Sequence, residues 1–559
     1  MSREAAERIA TLRRDQVFPV LDAEDVARIA RFGETRQFRS GELLKRAGER
    51  AAGLFVLTSG RVLIKQRNGL GQLAPFAEYG PGEFVGEASL LAGAASFADA
   101  EAISDVEAIL VPMERLRALI LGEAHLGARI TQAFILRRTM LIESGSSGPV
   151  LIGRPDSPQV LRLQAFLRRN VVPYQRVPSD TSEATATMLA QYGATPDDVM
   201  VICPNGAVLV NPDEAHLARC IGILDMRARP ECVDVLIIGA GPAGLAVAVY
   251  AASEGLKVVV IDSRHFGGQA GASTRIENYL SFPTGVSGGE LASRALVQAQ
   301  KFGAEIMIPA DACALDCSRT DPDSALRLQL DDGRWLRGRS IVVATGANYR
   351  RPAVPRLAEL EGRGVWYWAS AMEAALCKDC DIALVGGGNS AGQAAVYLAR
   401  HAAHIFMLVR GKDLSHSMSR YLVDRILDAS NIQVLAQTEL VALRGDRGSG
   451  LLGASWRNRQ DGSVFDRDLR HVFLFIGADP ETRWLEDCGI AKDANGFILT
   501  GADAAAAGGT VPRPLETSVP GVFAVGDVRA GSVKRVGGAI GEGAAVVTQI
   551  HQHLAPRNH

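Results

Sequence analysis

VDVLIIGAGPAG, residues 233–244, decides the fold of the largest part of this chain. Its mostly apolar start predicts a buried parallel strand, and its glycines predict a tight turn into a helix. Gly239 allows the turn, Gly241 lets the backbone approach a pyrophosphate, and Gly244 lets the helix pack on the strand. The next strand ends in Asp262, which suits a ribose hydroxyl. Together these features predict a Rossmann-like α/β domain with a dinucleotide pyrophosphate at the helix N-terminus.

A second fingerprint of the same kind follows further along the chain. A strand at residues 381–385 runs into GGGNSA, and another strand follows at residues 405–408. The end of that strand carries no carboxylate and is followed by cations, which favours NADPH because cations attract its 2′-phosphate. The alternative is that Arg410 and Lys412 lie in a solvated loop and bind no phosphate. The predicted NADPH contacts are Gly386, Gly388, Asn389, Ser390, Ala391, Arg410, Lys412 and Arg420.

Two dinucleotide sites, the second inserted in the first, imply a flavoprotein that holds FAD and NADPH. The closing pieces of the first site are IVVATG at residues 341–346 and GVFAVGD at residues 521–527. Residues 231–552 resemble low-molecular-weight thioredoxin reductase, and the resemblance implies a homodimer. The FAD contacts expected from the first fingerprint and from the resemblance are Gly239, Gly241, Gly244, Asp262, Gly268, Gln269, Asn278, Thr345, Gly346, Gly526, Asp527, Arg535 and Val536.

The resemblance fails where that family keeps its redox-active cysteine pair. The two cysteine positions hold Trp368 and Ala371, and the position of the neighbouring acid holds Met372. The glutathione-reductase-like arrangement is absent as well, because residues 267–271 contain no cysteine. Neither standard disulfide site is therefore expected beside the flavin.

A displaced CxxC is the remaining candidate for disulfide chemistry. Cys377 and Cys380 stand directly before the NADPH fingerprint, with Lys378 and Asp379 between them. The lysine would lower a thiol pKa, whereas the aspartate would oppose it. The alternative is a pair of reduced cysteines where a surface strand begins. No second pair of metal ligands lies nearby in the sequence, so we expect no metal site.

The first region, residues 1–145, is rich in strand and turn signals and ends in a helical segment at about residues 113–142. It resembles the cyclic-nucleotide-binding β-roll, with FVGEASLL at residues 84–91 in place of the phosphate cassette. The resemblance implies a nucleotide pocket at Gly86, Glu87, Ala88 and Ser96. Glu87 matches the ribose-binding glutamate, but Ser96 replaces the phosphate-binding arginine, which leaves only backbone donors for a phosphate. Two interpretations stay open: cyclic-nucleotide binding, and a degenerate roll used for packing or for another ligand.

The second region, residues 149–226, alternates strands and helices in an order similar to the thioredoxin/glutaredoxin fold. That fold carries its CxxC at the start of the first helix, where this chain reads SPQV at residues 157–160. Val199 and Met200 stand where the family has its cis-proline. We therefore expect a domain kept for structure or docking, without redox chemistry of its own.

Composition supports an ordinary globular chain. Of 559 residues 47% are hydrophobic, and 60 basic against 62 acidic residues give a net charge of −2, so neither nucleic acid nor an anionic membrane is an expected partner. The N-terminus lacks the apolar core of a signal peptide, and no apolar run is long enough to span a membrane. Eight cysteines are too sparse for a disulfide framework. These features predict a cytoplasmic protein.

The sequence thus predicts a multidomain protein: a β-roll, an α/β thioredoxin-like domain and a two-dinucleotide Rossmann-like flavoprotein. The first hypothesis for its function is an NADPH-dependent FAD oxidoreductase whose acceptor is a small redox protein or a small molecule. The second is a thioredoxin-disulfide reductase that uses Cys377 and Cys380, and the third is a redox- or nucleotide-sensing regulator. The predicted domains are 1–145 (roll), 149–226 (thioredoxin-like), 229–347 and 475–559 (FAD), and 348–474 (NADPH).

Overall fold

The computed structural model describes residues 14–68, 71–86, 90, 95–144, 148–170, 172–180, 183–223, 231–273, 276, 279–318, 325–367, 369, 371–446, 448–506, 509–533 and 535–555. No helix among these residues is long and apolar enough to cross a membrane.

The N-terminal region is a β-roll of two antiparallel four-stranded sheets, ordered β1-β8-β3-β6 and β2-β7-β4-β5. Phe84 and Phe134 meet edge to face in its core and are fully buried. The single helix predicted after the roll is two helices, because the backbone leaves the helical conformation at Glu123. The elements are α1 (Arg14–Val17), α2 (Ala23–Ala30), β1 (Glu34–Phe38), β2 (Leu43–Lys45), β3 (Gly53–Ser59), β4 (Val62–Arg67), β5 (Leu73–Tyr79), β6 (Phe84–Val85), β7 (Asp99–Ala102), β8 (Val106–Pro112), α3 (Met113–Gly122) and α4 (Ala124–Ser144).

The middle region is a four-stranded sheet with helices packed on it, in the order β10-β9-β11-β12. Strands β9 and β10 are parallel, whereas β11 runs antiparallel to both of its neighbours. This order is the one that the predicted thioredoxin-like succession of elements requires. The elements are β9 (Val150–Ile152), α5 (Pro158–Arg169), β10 (Gln175–Val177), α6 (Glu183–Gln191), β11 (Met200–Ile202), β12 (Val208–Val210) and α7 (Glu214–Cys220).

The third region consists of two nested α/β domains, in which the chain crosses from the first to the second and back. The first part of the outer domain comprises β13 (Cys232–Ile238), α8 (Pro242–Ser253), β14 (Val258–Ile261), α9 (Gly268–Gly271), α10 (Gly288–Lys301), β15 (Glu305–Met307), β16 (Ala312–Asp316), β17 (Leu326–Leu330) and β18 (Trp335–Val343). The crossing strands and the inner domain comprise β19 (Ala347–Tyr349), α11 (Leu357–Leu360), β20 (Val365–Trp366), α12 (Ala371–Leu376), β21 (Asp381–Val385), α13 (Asn389–Leu398), β22 (His404–Leu408), α14 (Arg420–Asp428), β23 (Ile432–Leu435), β24 (Thr438–Asp446), β25 (Gly450–Asn458), β26 (Val464–Asp468), β27 (His471–Leu474) and β28 (Ala478–Pro480). The outer domain then resumes with β29 (Val522–Ala524) and α15 (Val536–Leu554), with 3-10 turns at Arg483–Cys488, Gly501–Ala504 and Gly526–Val528.

Each nested domain is built on a mostly parallel sheet whose strands end toward a glycine-rich turn. The outer sheet runs β15-β14-β13-β18-β17-β16, and β29 pairs with β18 in parallel. The inner sheet, β20-β27-β21-β22-β23, is parallel throughout. The crossing strands β19 and β28 pair with each other in antiparallel register. Both glycine-rich turns therefore lie at the carboxyl edge of a parallel sheet, where such folds bind ligands.

Although the cysteines are too sparse for a disulfide framework, four of them form two disulfide bonds. Cys203 bonds to Cys220 in the middle domain, and Cys317 bonds to Cys488 in the outer domain, with Cα–Cα distances of 5.5 and 5.6 Å. Cys317, which looks incidental in the sequence, lies 171 residues before its partner, so only the folded sheet brings the two together. Cys232, Cys313, Cys377 and Cys380 are free.

Candidate dinucleotide-binding sites

The first glycine-rich turn is sterically restricted to glycine. Gly239 has a φ of +108°, and a Cβ there would lie 2.2 Å from the carbonyl oxygen of Ala344. A Cβ at Gly244 would lie 1.9 Å from the carbonyl oxygen of Gly239. Gly241 instead faces open space, with the Cα of Gly268 as its nearest neighbour at 3.9 Å. The turn is thus packed on its inner side and open where a pyrophosphate would approach, so its geometry fits a dinucleotide.

Asp262 ends β14 as predicted, and three backbone N–H groups bind its carboxylate. The N–H of Ala240 donates to Oδ2 at 2.9 Å, and the N–H groups of Arg264 and His265 donate to Oδ1 at 3.1 and 3.2 Å. Burial raises the pKa of the Asp262 carboxyl, and these hydrogen bonds oppose that shift. The carboxylate therefore joins the glycine turn to the loop after β14, a role that the sequence did not reveal.

Several expected FAD contacts lie where the chain passes from the outer domain into the crossing strand. The Gln269 amide donates to the carbonyl oxygen of Ala347, and the Thr345 hydroxyl donates to the carbonyl oxygen of Glu481 at 3.0 Å. Gly346 has a φ of +68°. These bonds fasten both crossing strands to the edge of the first glycine turn. Asn278 lies outside the described residues.

A partly buried ion pair shapes the turn that carries Asp527. The N–H of Gly526, whose φ is +74°, donates to Oε2 of Glu542 at 2.7 Å. Arg529 donates to the same carboxylate at 2.5 and 3.2 Å, and the side chains of Arg529 and Glu542 are 20% and 17% exposed. Sequence reasoning missed Glu542, which lies inside α15. Its position explains how the turn is held against that helix.

Helix α15 begins at Val536, with Arg535 as the residue that caps it. The first turn of the helix contains no acidic side chain, so its free N–H groups and the positive end of its dipole are not neutralised from within. This arrangement fits Arg535 and Val536 as FAD contacts, because a helix N-terminus stabilises the negative charge that a flavin gains on reduction.

The second glycine-rich turn is held by Ser417 and Ser419, which the sequence analysis did not single out. A Cβ at Gly386 would lie 2.2 Å from the carbonyl oxygen of Phe475, and the Gly386 φ is +143°. The Ser417 hydroxyl donates to the carbonyl oxygen of Gly387 at 2.9 Å, and the N–H of Ser419 donates to Oδ1 of Asn389 at 2.7 Å. Residues 417–419 therefore hold the turn from outside.

The remaining predicted NADPH residues fall into two groups. Ser390 lies at the start of α13, and Ala391 is fully buried against the inner sheet. Arg410, Lys412 and Arg420 are exposed, and Arg420 donates to Asp424 on its own helix at 3.2 Å. The three cations thus follow β22 on the solvent side, where a phosphate has access to them.

The displaced cysteines lie at the opposite end of the inner sheet from the glycine turn. Both precede β21, whereas Gly386 follows it, so a strand of five residues, about 16 Å, separates them. Cys377 is fully buried, and this burial, with Cys380 and Glu373 nearby, raises the pKa of its thiol to about 12. This arrangement does not suit a dithiol that takes electrons at the nucleotide edge.

In the β-roll, the residue that replaces the phosphate-binding arginine forms a hydrogen bond within its own turn. Ser96 is 2% exposed, and its hydroxyl donates to the carbonyl oxygen of Ala98 at 2.9 Å. The carbonyl oxygen of Gly86 accepts a hydrogen bond from Arg137, a buried arginine of α4, at 2.9 Å. Glu87 and Ala88 lie outside the described residues. Over the parts of the chain that are described, no group of three or more histidine, cysteine or acidic residues could hold a metal ion.

Comparison with known proteins agrees with this architecture. Residues 233–543 match the family described as pyridine nucleotide-disulphide oxidoreductase, and residues 35–123 match the cyclic nucleotide-binding domain. Because the first match spans more than half of the chain, the protein belongs to the pyridine nucleotide-disulphide oxidoreductase family. The predicted fold class and the resemblance to thioredoxin reductase are confirmed.

Individual relatives match over the flavoprotein half. One component of the alkyl hydroperoxide reductase of Escherichia coli (strain K12) is 32% identical over 58% of this chain and 58% of its own length. NADPH-dependent thioredoxin reductase 3 of Arabidopsis thaliana is 32% identical over 58% of this chain and 59% of its own length. The chain thus spans less than two thirds of these relatives. The solved structure of Lactococcus lactis thioredoxin reductase matches with a TM-score of 0.52 and 27% identity, over 57% of this chain and 98% of that one.

Proposed function

We propose that this protein is an NADPH-dependent FAD oxidoreductase that transfers electrons without the family's flavin-adjacent cysteine pair. The observation that carries the proposal is the pair of glycine turns at the carboxyl edges of their sheets. A Cβ at Gly239 or Gly386 would collide with a carbonyl oxygen at 2.2 Å, whereas one at Gly241 or Gly388 would have no neighbour closer than 3.9 Å. FAD, when bound, supplies the chemistry of accepting hydride and passing electrons on. Gly241 leaves room for its pyrophosphate, Asp262 accepts its ribose hydroxyl, and Asp527 meets the ribityl chain.

The inner domain selects the nicotinamide cofactor in this proposal. Gly388 and Asn389 admit the pyrophosphate at the start of α13, and Arg410 and Lys412 attract the 2′-phosphate. Their exposure supports this role, because neither side chain is taken up in the core. β22 does not end in an acidic residue, so no carboxylate at that position accepts the ribose 2′-hydroxyl of NADH. NADH therefore lacks a contact that would compensate for the absent 2′-phosphate.

The acceptor in this proposal is reduced at the flavin itself. Trp368 and Ala371 stand at the family's cysteine positions, and the buried thiol of Cys377 supports no replacement for them. A small redox protein or a small molecule such as a quinone would fit that chemistry. The proposal includes a cytoplasmic homodimer, and light scattering of the purified holoenzyme tests the oligomeric state.

Anaerobic titration with NADPH tests the proposal. The purified protein should be yellow, with about one FAD per chain, and about one equivalent of NADPH should bleach the flavin. Uptake of a second hydride equivalent with a charge-transfer band would instead indicate a dithiol beside the flavin, as in the thioredoxin-disulfide reductase alternative. A folded protein that FAD does not reconstitute would contradict both.

A further inference from the structure

The middle domain contacts the outer domain beside the residue expected to bind the FAD ribose. Asn170, which directly follows α5, donates from Nδ2 to the carbonyl oxygen of Arg264 at 3.0 Å. Its amide also donates to the carbonyl oxygen of Phe166 at 3.0 Å, and the residue is only 6% exposed. Arg169 lies with Nη1 2.7 Å from Nε2 of His265. Both contacts therefore join the end of one helix to two consecutive residues of the neighbouring domain.

The contact between Arg169 and His265 is a hydrogen bond to a neutral ring. Burial and the neighbouring Arg169 lower the pKa of His265 to about 3. At neutral pH the ring is uncharged, so its Nε2 can accept from the guanidinium. The pair is thus attractive. Arg169 holds the side chain of His265, and Asn170 holds the backbone of Arg264.

The loop residues held in this way are the same two that orient Asp262. The N–H groups of Arg264 and His265 both donate to Oδ1 of Asp262, and the N–H of Ala240 fixes the other oxygen. A shift of the loop would move both donors together and turn the carboxylate. The middle domain thus acts on the ribose carboxylate through one intervening loop.

The β-roll holds the same end of the middle domain, because Gln175 and Ile202 both pair with Val150 at the edge of the sheet where α5 ends. Arg67 of the β-roll donates from Nε to the carbonyl oxygen of Pro204 at 3.0 Å, and the Gln175 amide donates to the carbonyl oxygen of Arg67. The position of the lost CxxC is at the opposite end of α5, about 18 Å from Arg169 for a helix of 12 residues. A domain held at this end by both of its neighbours, with no cysteines at its redox position, does not need to move to the flavin.

We propose that the thioredoxin-like domain is a fixed scaffold for the FAD ribose, in which Arg169 and Asn170 are positioning residues for Asp262. This inference rests on the proposed binding of FAD. It gives the domain a role that requires no electron transfer through it.

The test is FAD affinity in the full-length protein. Arg169→Ala, Asn170→Ala and the double variant are stripped of flavin and titrated with FAD, and fluorescence reports binding. Each loss removes one hydrogen bond to the loop at Arg264 and His265, so the Kd of FAD should rise about threefold to tenfold for each single variant and further for the double variant. Arg168→Ala is the matched control, because this neighbouring side chain is exposed and bonds to Tyr174 within its own domain. The KM for NADPH should stay unchanged in all variants.

A double-mutant cycle separates positioning from general loss of structure. Asp262→Asn weakens FAD binding directly, and in that background Arg169→Ala should have little further effect, because the carboxylate it positions is gone. Equal FAD affinity of Arg169→Ala and Arg168→Ala, or an effect that adds fully to that of Asp262→Asn, would overturn the inference. Arg169 is half-buried, so this variant is informative even if Asn170→Ala folds poorly. A wild-type protein that binds no FAD would instead refute the proposed function.

Discussion

The thiol of Cys377 gives the sharpest prediction about the displaced cysteine pair. Only the thiolate reacts with iodoacetamide, and burial together with its neighbours raises the pKa of Cys377 from the ordinary 9.0 to about 12. Three pKa units reduce the thiolate fraction at neutral pH about a thousandfold. Because the residue is also fully buried, restricted access slows the reaction further.

Quenched time courses at pH 7.5, followed by peptide mass spectrometry, measure this rate. Cys313, which is free and exposed in the same chain, is the internal control. Burial and the neighbouring Asp311, Asp331 and Asp332 raise the pKa of Cys313 as well, but Cys377 is also inaccessible. Alkylation of Cys377 should therefore be at least about two orders of magnitude slower than that of Cys313, and each unit of pH should raise its rate about tenfold. Comparable rates at the two cysteines would refute the assignment of Cys377 to the core.

The variant Cys377→Ala with Cys380→Ala completes this test. Both cysteines lie at the end of β21 away from the nucleotide turn, so NADPH oxidation with an artificial acceptor should be unchanged. Reduction of insulin through thioredoxin should be negligible with the wild-type protein and with the double variant. A wild-type protein that reduces thioredoxin, with a double variant that does not, would establish the displaced pair as the redox centre.

The other predictions concern one residue or residue pair each. Arg410→Ala should raise the KM for NADPH about tenfold to a hundredfold and barely change that for NADH, since a charge-assisted phosphate contact is lost; equal wild-type rates with both cofactors in steady-state assays would contradict this. The β-roll should bind cAMP no tighter than on the order of tens of micromolar in calorimetry, because Ser96 brings no cation to the phosphate; a submicromolar constant would show that other donors suffice. Cys317→Ser should lower the free energy of unfolding of the outer domain by up to about 5 kcal/mol, because the bond to Cys488 closes a loop over 171 residues. Thermal unfolding with and without reductant measures that loss, and a Cys313→Ser variant that loses as much would count against it.

The sequence predicted those features whose signal is local. The turns at Gly239 and Gly386 were predicted because each repeats the glycine-rich motif that follows a parallel strand, although the carbonyl groups that exclude a side chain there belong to the distant Ala344 and Phe475. The strand and helix order of the middle domain followed from alternating patterns within about 80 residues. In each case the signal lies within a short stretch of sequence, even where the neighbours that complete the structure do not.

Features that depend on distant partners were missed. Glu542 binds a turn that precedes it in the chain and gives no signal within its own helix. The partner of Cys317 comes after the whole inner domain, so spacing alone could not pair the two cysteines. Arg169 and Asn170 have the sequence of an ordinary polar helix end. Their contacts with His265 and Arg264 are visible only in the structure with the domains packed together.

The pairing of β19 with β28 has a consequence for how such chains evolve. Ala347 faces Pro480 and Tyr349 faces Ala478, and the N–H of Arg350 donates to the carbonyl oxygen of Gly477 at 2.8 Å. The inner domain thus leaves and re-enters the outer domain at points one strand spacing apart, about 5 Å. A two-residue hairpin turn between β19 and β28 would be long enough to replace residues 350–477. The sheet of the outer domain would keep its strand order without them, so the inner domain is a unit that can be inserted, deleted or exchanged.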